Sequence, residues 1–211
     1  MKIPTNSTDN TSSNSYWIRF LTRWSRNHGF PFDSATNLNG PFDQLEDYDA
    51  WVAEMADGDN PLFFAIVDRE RGTAAGVASY LRIDRHNETI EVGHLQYSPL
   101  FTRTRAATEA MYLMMARGFD DLGYRRYEWT CDSLNEPSRS TALRLGFIYE
   151  SQFRQTVFYR GRNRDNDWFS ITDGEWPELK ASFEAWLDPA NFTEDGTQRT
   201  ELHAALGVRE R

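Results

Sequence analysis

The chain predicts a mixed α/β (α+β) fold, a mostly antiparallel central sheet flanked by helices, and three observations carry that expectation. Apolar or alternating runs at 62–68, 76–83 and 88–97 are separated only by turn residues, which makes a hairpin-linked meander. A helical run from Arg105 to Leu122 then leads from Glu88–Tyr97 into a further strand, Tyr124–Cys131. A strand–helix–strand passage needs a parallel crossover, so the sheet is expected to be mixed. Last, Phe147–Arg160 and Asp167–Thr172 read as a closing hairpin around a charged Arg160–Arg164 turn.

Taken in order, residues 1–15 are polar and rich in Ser, Thr and Asn, and predict a disordered segment. Residues 16–188 are expected to form a single domain and residues 189–211 a polar, partly loose tail. Residues 16–30, opening on Tyr16–Trp24, are apolar and aromatic but follow neither the strand nor the helix period. Asp43–Ala56 reads as a helix, with Asp43 as N-cap and Leu45, Tyr48, Trp51, Val52 and Met55 on one face. Leu62–Asp68 suits a buried strand, Arg71-Gly72 a turn, Gly76–Ile83 its alternating partner, and His86-Asn87 the next turn. Within Arg105–Leu122, Ala107, Ala110, Met111, Met114 and Gly118 recur at helical spacing, and Gly123 is a suitable left-handed stop. Glu136–Leu145 is a short helix closed by Gly146, and Trp176–Leu187 a last helix.

Composition narrows the function classes. An apolar fraction of 39% over 211 residues is enough for a real core. A net charge of −9 argues against general nucleic-acid affinity and against a polybasic membrane contact, both of which need a cationic surface. The single cysteine, Cys131, leaves no internal disulfide, and no Cys/His cluster has zinc-ligand spacing. The first fifteen residues lack the apolar stretch of a signal peptide, and no run approaches the ~20 apolar residues of a membrane span. The expectation is a cytoplasmic protein, monomeric or homodimeric, with neither nucleic acid nor membrane as partner.

The functional signal lies between Glu91 and Phe147. The strand Glu88–Tyr97 turns through Ser98-Pro99 into Thr102-Arg103-Thr104-Arg105-Ala106-Ala107, where a helix opens. First-turn N–H groups of a helix lack intrahelical partners and its dipole favours negative charge, so this is a candidate anion site. That suggests a pyrophosphate-bearing cofactor. Downstream stand Asn135-Glu-Pro-Ser138 and Leu145-Gly146-Phe147. In order and spacing these segments resemble the GNAT acyl-CoA N-acyltransferases, most closely their RimJ/RimL-like branch, over roughly Leu62 to Thr172.

The resemblance implies strands that splay apart around a CoA cleft, whose unpaired backbone groups bind the pantetheine arm as an added strand would. It implies acetyl-CoA as acyl donor, held by Leu95, Gln96 and Tyr97, by the loop Thr102, Arg103, Thr104, Arg105, Ala106 and Ala107, and by Asn135 and Ser138, with the thioester between Leu95–Tyr97 and Cys131–Asn135. The loop keeps its final small residue as Ala107 but carries Arg103 and Arg105 where the family relies on glycine. It further implies transfer to a primary amine of a small molecule or a protein N-terminus by direct attack. Such transfer needs a base for the amine, a donor for the oxyanion and an acid for the thiolate. Glu91 is the base candidate, on a strand face shared by alternation with Gly93, Leu95 and Tyr97. His94 falls on the opposite face and reads as a packed residue. Ala142 occupies the place of the family's usual acid tyrosine, which leaves Tyr97 as catalytic candidate by proximity, with Tyr149 behind it. Cys131 has no base paired with it in sequence and reads as a buried strand residue. Trp51, Phe63, Tyr80, Phe153, Phe158 and Trp168 are core candidates that could also line an acceptor groove. Two alternatives remain at this point: a catalytically silent CoA-binding module, and an acyltransferase for another acyl-CoA.

Overall fold

In the computed structural model the described residues are 44–56, 59–68, 73–159 and 161–202. The readings for residues 1–43, for the Arg71-Gly72 turn and for Arg160 lie outside them. The elements run α1 (Leu45–Ala56), β1 (Leu62–Asp68), β2 (Thr73–Asp84), β3 (Thr89–Tyr97), α2 (Arg105–Ala116), a π-helical turn (Arg117–Asp121), β4 (Arg126–Asp132), α3 (Glu136–Arg144), β5 (Ile148–Tyr159), β6 (Arg162–Thr172), α4 (Trp176–Leu187) and a 3-10 turn (Pro189–Asn191). The six strands form one sheet in the order β1-β2-β3-β4-β6-β5. By Cα proximity the chain falls into two compact units, residues 1–83 with 92–104, and residues 84–91 with 105–211. The strand β3 is divided between them, Thr89–Glu91 with the second and Val92–Tyr97 with the first.

In the first unit, β1 and β2 pair antiparallel from Leu62 opposite Tyr80 to Asp68 opposite Thr73. Ala65, Val77, Ala78 and Tyr80 are buried there, and Trp51 of α1 meets Phe63 edge-on at 5.3 Å. Gly76 is required where it stands, because a Cβ would lie 2.6 Å from the Gln96 carbonyl oxygen and 2.7 Å from the Tyr97 ring. Ser98 N–H still bonds the Ala75 carbonyl at 2.8 Å, so pairing runs up to Pro99 and stops there, as expected of a residue with no donor.

In the second unit, β6 pairs antiparallel with both β4 (Arg126 opposite Thr172 to Asp132 opposite Asn166) and β5. Met111, Met115 and Phe119 are buried, as are Trp176, Leu179 and Phe183 of α4, and Phe119 stacks on Trp176 at 5.1 Å. The expected helix Arg105–Leu122 keeps α geometry only to Ala116. Beyond it the turn widens into the π form, where a Cβ on Gly118 would be 3.0 Å from the Tyr127 ring and Asp120 accepts from Trp176 Nε1 (2.8 Å) and Lys180 Nζ (2.9 Å). Two strand boundaries also differ. The strand read as Tyr124–Cys131 spans Arg126–Asp132, and that read as Asp167–Thr172 begins at Arg162, so Arg162 and Arg164 are strand residues rather than turn residues. Within the described part of the tail, Asn191 donates to the Trp186 carbonyl and accepts from Thr200 N–H, and Phe192 bridges to Gln198.

Candidate active site

After β3 the chain winds through a compact turn. Phe101 and Thr102 N–H groups bond the Ser98 carbonyl at 2.9 and 3.0 Å, and the Thr104 hydroxyl bonds the Phe101 carbonyl at 2.7 Å. Arg103 sits at φ +63, in the left-handed region that glycine favours, so the loop keeps a glycine-like backbone although the residue is arginine. The helix α2 then opens at Arg105, with Thr102, Arg103, Arg105 and Ala106 exposed and Ala107 buried against the core. The Arg105 guanidinium is held by the chain itself: it donates to the Leu187 carbonyl and lies 4.8 Å from the centroid of the Phe192 ring.

On β3, Glu91 is 3% exposed, and Ile90 and Val92 beside it are buried too, so both strand faces are covered at that point. The strict alternation expected along the strand is interrupted at His94, which adopts φ +49. Its Nδ1 lies 2.7 Å from the Ser79 hydroxyl, its ring is 5.0 Å from Phe63, and burial pushes its pKa down. That keeps the imidazole neutral and packed. Leu95 and Gln96 are half-buried. Tyr97 meets Phe101 edge-on at 5.3 Å, and its hydroxyl is buried with no hydrogen-bond partner among the described residues. Burial drives its pKa far above the usual phenol value, so it stays protonated, a buried O–H donor without an acceptor.

At the end of β4, Asn135 is the N-cap of α3: its side-chain oxygen accepts from Ser138 N–H at 3.2 Å. Ser138 stands inside the first turn and its hydroxyl accepts from Trp129 Nε1 at 3.0 Å. Ala142 is fully buried, its carbonyl bonded by Phe147 N–H, and Gly146 at φ +89 ends the helix. Cys131 is buried, which raises its thiol pKa, so the reading of an inert strand cysteine agrees with its surroundings.

Sequence reasoning missed a polar network beside this helix. Asp167, 0% exposed, pairs with Arg139 of α3, while Asp132, 1% exposed, pairs with Arg162 and, at 3.9 Å, with Arg164. Burial works against charge on Asp132, but the Leu134 N–H and the Arg162 guanidinium outweigh it and hold the carboxyl below its ordinary value. Assigning 162–164 to a turn hid the alternation of Arg162, Arg164 and Asn166 along one strand.

The third strand of this mixed sheet carries the buried Glu91 carboxylate and the buried Tyr97 hydroxyl, and then feeds an exposed helix start. Comparison with known proteins supplies the class. The model of the Acetyltransferase (GNAT) domain matches residues 18–148, and the chain belongs to the GNAT acetyltransferase family. It is similar to a solved GCN5-related N-acetyltransferase from Brucella melitensis, at 41% identity over 89% of this chain and 85% of that one, TM-score 0.83. A "probable acetyltransferase (GNAT family)" from Chromobacterium violaceum is 32% identical over 79% of this chain and 82% of its own, TM-score 0.68. The SPbeta prophage-derived uncharacterized N-acetyltransferase YokL of Bacillus subtilis is 29% identical over 60% of this chain and 70% of its own length. The protein is therefore an acyltransferase with a mixed, mostly antiparallel six-stranded sheet, and use of an acyl-CoA follows from the family. No helix among the described residues is long and apolar enough to cross a membrane.

Proposed function

We propose that the protein is an N-acetyltransferase of the RimJ/RimL-like branch that moves an acetyl group from acetyl-CoA to a primary amine of a small molecule or a protein N-terminus. The observation that carries this reading is the Tyr97 hydroxyl, buried, protonated and without a partner among the described residues, on the strand that also carries the buried Glu91. A buried donor without an acceptor is costly unless a ligand supplies one. The residues suit an acyl-CoA: the glycine-like backbone at Arg103 and the α2 start suit a pyrophosphate, and Asn135 and Ser138 order the turn after β4. Glu91, through a water, takes the proton of the attacking amine; as the N–C bond forms and the C–S bond breaks, Tyr97 gives its proton to the departing sulfur. The acidic surface favours a cationic acceptor.

A silent CoA-binding module is the second reading, favoured by the buried Ala142 where the usual acid tyrosine would stand. Calorimetric titration of acetyl-CoA followed by an amine screen for thiol release separates the two. Turnover is expected to fall about 10²-fold or more in Glu91→Gln, with CoA affinity retained, and to fall in Tyr97→Phe as well. Unchanged rates would remove these residues from the chemistry, and binding without turnover on a broad panel would select the silent module.

A further inference from the structure

Four side chains in the second unit form a cation–aromatic–aromatic–cation row. The Arg144 guanidinium lies 5.4 Å from the centroid of Trp186, Trp186 meets Phe192 edge-on at 5.1 Å, and Arg105 lies 4.8 Å from the centroid of Phe192. Arg144 also reaches the helix that Arg105 opens, because Arg144 Nη1 donates to the Thr108 hydroxyl at 3.2 Å and Thr108 lies one helical turn after Arg105. Arg105 and Arg144 are both exposed enough to meet a ligand, whereas Thr108 and Trp186 beneath them are buried.

The charge balance of this frame is unusual. Among the described residues neither guanidinium has a carboxylate within ion-pair distance; their partners are a carbonyl, a hydroxyl and two aromatic rings. In a chain with 32 acidic residues and a net charge of −9, two cations at the ends of one row, with no anion beside either among the described residues, are out of keeping with their surroundings. Burial alone acts on Arg144 and lowers its pKa, with no acidic neighbour to raise it. Each guanidinium has five N–H donors in a planar fork and uses one of them here, so most of its capacity for an anion is unspent. Arg144 does stand in the last turn of α3, where a cation suits the helix dipole, yet it reaches across to α2 and α4 instead of folding back on its own carbonyls.

We propose that Arg144, together with Arg105, receives a phosphate monoester, the 3′-phosphate at the nucleotide end of the acyl-CoA, and so sets the enzyme's preference for CoA over 3′-dephospho-CoA. This rests on the acyl-CoA reading above and adds to it a specificity residue. A dianionic monoester matches two forked cations; the pyrophosphate, which both ligands share, does not need Arg144. Full-length protein titrated calorimetrically with CoA and with 3′-dephospho-CoA tests it. The wild type is expected to bind CoA about tenfold tighter or better. Arg144→Gln should lose that ratio while its affinity for 3′-dephospho-CoA stays within about twofold, and Arg144→Lys should fall between. A wild-type ratio near one overturns the inference whether or not the variant folds, as does equal weakening of both ligands by Arg144→Gln, which would make Arg144 a prop for Trp186. If the wild type binds neither ligand, the acyl-CoA reading itself fails first.

Discussion

Two groups of arginines in the same unit are held in opposite ways. Arg126, Arg139 and Arg162 each meet carboxylates: Arg126 binds Glu150 through two nitrogens at 2.7 Å and Glu128 at 2.6 Å, Arg139 binds the buried Asp167, and Arg162 binds the buried Asp132. The Glu150 pair above all drives the Arg126 pKa up, as expected of a cation whose charge is already answered. Among the described residues, Arg105 and Arg144 meet only neutral groups. The first group has its electrostatic energy committed within the fold, so its loss is felt as lost stability. The second leaves its charge available, and its loss should be felt mainly when an anion is present.

The largest test of this contrast is Arg139→Ala. It strands the Asp167 carboxylate, 0% exposed, without its cation, and should cost about 3–5 kcal/mol in urea unfolding at neutral pH. Replacing both partners by apolar residues of similar size should restore most of that loss, because the cost lies in the unpaired charge. A loss under about 1 kcal/mol would mean the pair is not the structural element described. The next effect is Asp132→Asn, which should cost about 2 kcal/mol at pH 7, the scale of a lost charged hydrogen bond. The folded pKa of Asp132 lies below the ordinary 3.8, so the stabilisation is present above the unfolded pKa and disappears as pH falls through the folded one. The deficit of the variant should therefore be flat from pH 5 to 8 and shrink below about 4. A deficit that persists into acid would show that shape, not charge, holds Asp132.

What could be read from the sequence follows the range of the forces involved. The strand Leu62–Asp68 and the helix Trp176–Leu187 appear at the residues expected, because a buried apolar run and a helical period are local signals. The π turn after Ala116 was not legible, since it answers to Tyr127, Trp176 and Lys180, residues on β4 and α4. The left-handed His94 and Arg103 were hidden for a related reason: glycine announces such a backbone and these residues do not. At the site, the strand, the loop and the Asn135 cap stood out as a pattern. The orphan hydroxyl of Tyr97 and the row from Arg144 to Arg105 could not, because they depend on what is absent around a side chain and on contacts as far apart in sequence as Arg105 and Leu187.

The smallest effect, and the one that separates the two groups most directly, is Arg105→Gln. Its carbonyl partner and its exposed ring contact are each worth about 1 kcal/mol or less, and the Leu187 carbonyl at the end of α4 can turn to water when the guanidinium is gone. Unfolding stability without ligand should thus fall by at most about 1 kcal/mol, several-fold less than for Arg139→Ala. With saturating CoA the gap should widen, because ligand stabilises the native state in proportion to the logarithm of its affinity, and the variant binds more weakly. Paired melting curves with and without CoA read both quantities in one experiment. If the loss without ligand matches that of Arg139→Ala, Arg105 belongs with the structural arginines after all. If the loss is small and CoA shifts wild type and variant equally, its guanidinium only ties down the C-terminal segment and does not meet the ligand's phosphates.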